Sequence, residues 1–127
     1  MKLDEYFETI KGIGVLSTAD ARGNVNAAIY GRPHFMDEDT VAFIAADRLT
    51  HANLAVNPSA VYLFKEDGSY KGKRLYLTKT REEKDSPLIE EIRRKKYGEV
   101  EGKHKMESKF LIYFQVIKVL PLIGEVK

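Results

Sequence analysis

The first three apolar runs of this sequence are separated only by tight turns, and that fixes how they pair. Val15–Ala19 reads as a strand, Asp20-Ala21-Arg22-Gly23-Asn24 as a hairpin turn rich in residues that tolerate positive φ, and Val25–Phe35 as the return strand. Met36-Asp37-Glu38-Asp39 turns the chain again into a third strand, Thr40–Ala46. Strands joined this closely pair antiparallel, because a parallel neighbour needs a crossover of a dozen or more residues. Pro33 places the end of the second strand at an edge or a bulge.

The rest of the chain continues the pattern. A short helix is expected from about Thr50 to Val56, stopped by Asn57-Pro58, then a strand over Ala60–Lys65. Lys73–Thr80 alternates, with Leu75, Leu77 and Lys79 on one face, and reads as a fifth strand. Ser86-Pro87 is an N-cap followed by proline at the first helical position, and Leu88, Ile89 and Ile92 give the helix behind it an apolar stripe. Gly98–Glu107 reads as a charged loop. Phe110–Leu120 is apolar on both faces, so it either crosses a barrel core or meets a partner subunit. At the other end, Leu3, Tyr6, Phe7 and Ile10 fall at helical spacing, and Gly12 and Gly14 are expected to end that helix. Six short strands with only peripheral helices favour a mainly β fold, a six-stranded antiparallel barrel, over a doubly wound sheet. The 127 residues are expected to form one domain, 1–127.

Composition removes several function classes. With no cysteine, thiol catalysis and thiolate metal sites are excluded. The three histidines, His34, His51 and His104, form no ligand-spaced pair, so no metal site is expected. A net charge of +2 is too small to make nucleic acid the main partner. The cations Arg93-Arg94-Lys95-Lys96 fit a solvated helix end balanced by nearby glutamates. Met1–Glu5 has no apolar signal core, and Phe110–Gly124 falls short of the roughly 20 residues a membrane span needs. A soluble, cytoplasmic protein without membrane or nucleic-acid partners is expected. Gly12-Ile13-Gly14-Val15-Leu16-Ser17 lacks both the preceding strand and the following helix of a dinucleotide fingerprint. Tyr70-Lys71-Gly72-Lys73-Arg74 is either a solvated basic loop or a reach toward a phosphate.

The stretch Ala45-Ala46-Asp47-Arg48-Leu49-Thr50-His51 leaves a strand and enters a helix through small residues, a cation and a hydroxyl. A helix N-terminus offers unpaired N–H groups and a partial positive charge, which suit phosphate. Arg48 can add a forked contact and Thr50 a hydroxyl. On pattern alone the plainer alternative is favoured, because caps are far commoner than phosphate sites: Thr50 caps the helix and Arg48 is solvated.

Three stretches together give the chain a family likeness. They are Gly14-Val15-Leu16-Ser17-Thr18 with Asn26-Ala27-Ala28-Ile29-Tyr30-Gly31; Phe43-Ile44-Ala45-Ala46 running through Arg48-Leu49-Thr50-His51-Ala52-Asn53-Leu54 to Asn57-Pro58; and Tyr113–Leu122. In order and spacing these resemble the pyridoxamine 5'-phosphate oxidase-like family of FMN-binding split β-barrels, from about residue 3 to 122. The resemblance implies a homodimer with FMN at the subunit interface and a small-molecule substrate or electron donor. By position, Arg48, Leu49 and Thr50 would meet the phosphate, Ala45 and Ala46 the ribityl chain, and Asn26, Ala27, Ala28, Ile29 and Tyr30 the isoalloxazine ring. Asn53 would support the phosphate loop or hold the helix start. Leu49 stands where the family often has a cation. The chain has no tryptophan, so the vitamin-oxidising activity itself is not expected. What is expected is an FMN-dependent oxidoreductase with no assigned catalytic side chain; a flavin carrier, or a haem- or deazaflavin-binding protein, is the alternative.

Overall fold

The computed structural model describes residues 1–97 and 108–124, so the expected loop Gly98–Glu107 and His104 lie outside the described residues. The element order is α1 (Leu3–Thr9), β1 (Gly12–Ala19), β2 (Val25–Tyr30), β3 (His34–Phe35), β4 (Thr40–Ala46), α2 (Leu49–Val56), β5 (Ser59–Glu66), β6 (Gly72–Lys84), α3 (Leu88–Tyr97) and β7 (Lys109–Pro121). The strands form one sheet in the order β2-β1-β5-β6-β7-β4-β3, with antiparallel neighbours throughout.

That order forces the sheet to roll up. β2 and β3 sit on opposite edges, yet only residues 31–33 separate them in the chain. Laid flat, the two edges would lie about 29 Å apart at the usual strand spacing. The linking residues reach at most about 14 Å. The sheet therefore curls until its edges approach, leaving a seam between β2 and β3 where no ladder closes it: a split barrel with peripheral helices. The expected second strand is two strands because the chain breaks over Gly31–Pro33, where proline removes a ladder donor.

Side chains alternate across the curled sheet. Leu16, Val41, Phe43, Tyr62, Phe64, Leu75, Leu77, Ile112 and Phe114 fill the inside. Tyr6 and Phe7 of α1 close one end, with the Phe7 ring edge-on to Phe64 at 5.1 Å. Arg32, in the β2–β3 link, donates from Nη1 to the Phe7 carbonyl at 2.8 Å and so holds the last turn of α1. A second cluster, Ala42, Leu111, Tyr113 and Ile89, lies outside the barrel under α3. The two-faced burial of β7 thus has two causes along its length. Phe110–Phe114 lie between the barrel core and α3, whereas beyond it Ile117 is 60% exposed.

Three expectations need correction. α1 ends at Thr9, and Gly12 and Gly14 belong to β1, where a Cβ would run into the Lys65 backbone and the Tyr62 ring. β6 continues past Thr80 to Lys84, because Arg81, Glu82 and Glu83 find charged or aromatic partners that hydropathy alone does not reveal. α2 starts at Leu49 with Arg48 as N-cap, so Thr50 lies inside the helix rather than capping it. Ser86 behaves as expected, its Oγ accepting the Leu88 N–H at 3.2 Å. No helix among the described residues is long and apolar enough to cross a membrane.

Candidate functional site

α2 packs against β1, β2 and β4 at the seam. Its entry is tight. The Arg48 N–H donates back to the Ala46 carbonyl at 2.9 Å, and the Arg48 carbonyl accepts the first helical bond from Ala52 at 3.0 Å. The N–H groups of Leu49, Thr50 and His51 precede that first donor, so the helix itself supplies them no partner. Arg48 makes no side-chain cap, and Leu49 is 57% exposed. Aligned peptide dipoles leave partial positive charge at this turn.

The open edge of β2 runs beside it. Asn26, Ala28 and Tyr30 are half-buried on the α2 side, whereas Ala27 and Ile29 face outward and are exposed. As an edge strand, β2 leaves alternate backbone N–H and C=O groups outside the ladder. Side chains on this face hold the helix against both β2 and β1. The Tyr30 hydroxyl lies near Thr50; burial pushes its pKa up, and Thr50 offsets part of that rise. Asn53 donates from Nδ2 to Thr18 Oγ1 at 3.1 Å, and Thr18 lies opposite Asn26 in the β1–β2 register.

The expected residues therefore divide by exposure. Arg48, Leu49 and the outer backbone of β2 face solvent. Thr50 and Asn53 are 4% exposed, engaged in holding α2 to the barrel. Ala45 belongs to the main core, and Ala46 is half-buried opposite Lys109. The small side chains of this stretch let the backbone, rather than a bulky group, form the wall beside the helix start.

The partners of several residues around this turn were not read from the sequence. The His51 ring stacks on Phe110 with centroids 3.7 Å apart, and its nitrogens meet Asp47 and Glu82. The Asp47–His51 spacing of i, i+4 was a legible signal; the Glu82 partner, far along the chain, was not. His34 pairs with Ala42 in the short β3 ladder. The basic loop is anchored by Arg74, whose Nε donates to the Pro121 carbonyl at 2.8 Å, while Lys73 lies over the Tyr6 ring. Among the described residues no group of His, Asp or Glu is placed to hold a metal.

Two hollows mark the surface of the described residues. An open groove of about 420 Å³ crosses the outer face of the sheet, lined by Ser17, Val25, Val61, Tyr76 and Ile117 among others. Another, of about 770 Å³, lies between α1, α3 and the β2–β3 link. The outer sheet face carries exposed apolar side chains: Val25 is 83% and Ile29 67% exposed.

No protein-family model matches the chain, and no curated protein matches it in sequence. Solved structures do match it in shape. An FMN-binding protein from Syntrophomonas wolfei subsp. wolfei superposes with a TM-score of 0.74 at 20% identity, covering 98% of this chain and 86% of that one. An F420 reductase gives 0.75 at 12% identity, covering 94% and 98%. HutZ, the haem storage protein from Vibrio cholerae, gives 0.66 at 20% identity, covering 94% of each chain. At these identities the likeness defines the fold. The chain has the open, split β-barrel fold of these structures.

Proposed function

We propose that the protein is an FMN-binding flavoprotein, an oxidoreductase working as a cytoplasmic homodimer with the cofactor at the subunit interface. The observation that carries this reading is the first turn of α2, which has no side-chain cap and packs beside the open edge of β2. One element suits a phosphate and the other suits the polar edge of a flat heterocycle, and they are adjacent. The likeness to an FMN-binding protein supports the same ligand.

In this reading Arg48 and the N–H groups of Leu49 and Thr50 hold the phosphate, as helix starts and guanidinium groups hold anions elsewhere. Ala45 and Ala46 keep the wall beside the ribityl chain low. The β2 backbone over Asn26–Tyr30 takes the ring edge, with Ala27, Ala28 and Ile29 supplying N–H and C=O groups. Asn53 acts at one remove, fixing α2 to Thr18. Bound flavin supplies the hydride or electron transfer, and the protein orients it and keeps water from one ring face. The apolar outer sheet face would be covered by the second subunit.

The test is direct. Purified protein is denatured and the released small molecule identified by mass; FMN is expected, with a flavin absorbance band near about 450 nm in the intact protein. A Soret band, or a released deazaflavin, would replace this reading. Arg48→Ala is expected to weaken FMN binding by about 1.5–3 kcal/mol, the range for hydrogen bonds to charged groups. Unchanged affinity by calorimetric titration would remove Arg48 from the site. Turnover with a reduced nicotinamide would distinguish an enzyme from a flavin carrier.

A further inference from the structure

His51 lies in the first turn of α2, yet its side chain is only 14% exposed. The imidazole lies flat on the Phe110 ring, with 13° between the planes. Nδ1 is 3.1 Å from Asp47 Oδ1 and Nε2 is 2.9 Å from Glu82 Oε2. The other Glu82 oxygen accepts from Lys79 Nζ at 2.6 Å, and Lys79 also donates to the Leu54 carbonyl at 3.4 Å. The ring is thus faced by Asp47 from the entry turn, Glu82 and Lys79 from β6, and Phe110 from β7. Through Glu82 and Lys79, β6 grips α2 at two points along its length.

Asp47 gives the arrangement a chemical purpose. It is the one carboxylate in the stretch Ala45–Thr50 and is 71% exposed, immediately before the turn whose N–H groups are uncapped. A free carboxylate there would compete for those donors and repel an incoming phosphate. Its contact with His51 instead occupies a carboxylate oxygen against a ring that is itself immobilised.

We propose that His51 is a positioning residue for the phosphate end of the cofactor: it clamps Asp47 aside and fixes the first turn of α2 through Glu82. This rests on the flavin reading above and adds a selectivity to it, for the phosphorylated flavin over the same ring without phosphate. In this reading His51 stands at the phosphate end of the cofactor, so its loss is expected to affect only the anionic end.

The experiment compares FMN and riboflavin affinities by fluorescence titration in the parent, in His51→Phe, and in His51→Phe combined with Asp47→Asn. Phenylalanine keeps the stacking on Phe110 and loses both polar contacts. The expected result is FMN binding weakened roughly tenfold, the scale of one lost charge-assisted contact, with riboflavin binding unchanged. Adding Asp47→Asn should recover most of the loss. Parallel loss of both flavins, unchanged FMN affinity, or no recovery with Asp47→Asn would each overturn the proposal. Should His51→Phe fail to fold, Glu82→Gln carries the test, with the same selective loss of FMN expected and a parallel loss contradicting it. A parent that binds neither flavin overturns the flavin reading itself, which separates the two failures.

Discussion

The Tyr30 hydroxyl lies near Thr50, which offsets part of the pKa rise that burial imposes on it, where the start of α2 packs beside the open edge of β2. Thr50 is 4% exposed and Tyr30 packs edge-on to Phe43 at 6.1 Å, so both partners are held before any ligand arrives. A double-mutant cycle with Tyr30→Phe and Thr50→Val should give a coupling energy of about 0.5–1.5 kcal/mol in urea unfolding. Strictly additive single effects would mean that the hydroxyls do not share a bond.

Gly14 makes room for Tyr62. The Tyr62 ring passes over Gly14 Cα, and its hydroxyl donates to the Gly31 carbonyl at 3.1 Å, holding the β2–β3 link down on the core. A methyl group at position 14 would overlap a ring that is 0% exposed and has nowhere to move. Gly14→Ala is expected to destabilise the fold by about 1–3 kcal/mol through overpacking. Thermal unfolding reads this, and a variant as stable as the parent would show that Tyr62 can leave its place.

Glu82 predicts a pH dependence. Burial alone would raise its carboxyl pKa, but hydrogen bonds from His51 and Lys79 outweigh burial and hold it below its ordinary 4.5. A carboxyl lowered in the folded state contributes stability above its unfolded pKa and loses it as pH falls through the lowered value. Glu82→Gln should therefore be less stable than the parent at neutral pH and should lose less stability on acidification between about pH 5 and pH 3. Asp20, Asp37 and Glu83 are lowered as well and remain in the variant, so some acid slope persists. Stability curves that run parallel over that range would assign the acid sensitivity to those groups alone.

What could be read from the sequence was local. The Asp20–Asn24 turn forms as its residues demand, with Asp20 Oδ1 accepting the Arg22 and Asn24 N–H groups at 2.9 Å and Gly23 at φ +84. The alternation of Leu75 and Leu77 gave the core face of β6, and Ser86 gave the start of α3. Arg48 and Thr50 were singled out as a helix entry suited to an anion, but not their unequal exposure: Thr50 is buried, and solvent is left to Arg48 and Leu49. That difference depends on where β2 lies relative to α2, which is set by the curl of the whole sheet. Glu82 and Lys79 beside His51 were hidden for the same reason. A charged strand end appears as loop until the partners that neutralise it, distant along the chain, are in place. Gly12 and Gly14 appeared as helix terminators because close approach of Lys65 and Tyr62 leaves no trace in local pattern.

The outer sheet face bears on the proposed homodimer. Ile29 and Val15 are opposite in the β1–β2 register, Ser17 faces Val61, and Val61 faces Tyr76, so a mostly apolar strip interrupted by Ser17 crosses from β2 to β6, where Lys118 lies over the Tyr76 ring. Ile117, at the irregular step in β7, extends it and is 60% exposed. Scattered apolar residues on a surface need no explanation, but such a strip on a rigid sheet is a form that subunit interfaces take. A two-fold pairing makes the same strip meet its own copy, which places like charges opposite each other when a cation is introduced. Ile117→Lys combined with Ile29→Lys should therefore convert a species of twice the chain mass to monomer in sedimentation velocity. Because the flavin is proposed to lie between subunits, cofactor retention should fall with dissociation. A parent that sediments as a monomer, or a variant that stays dimeric with its flavin bound, would move the interface away from this face.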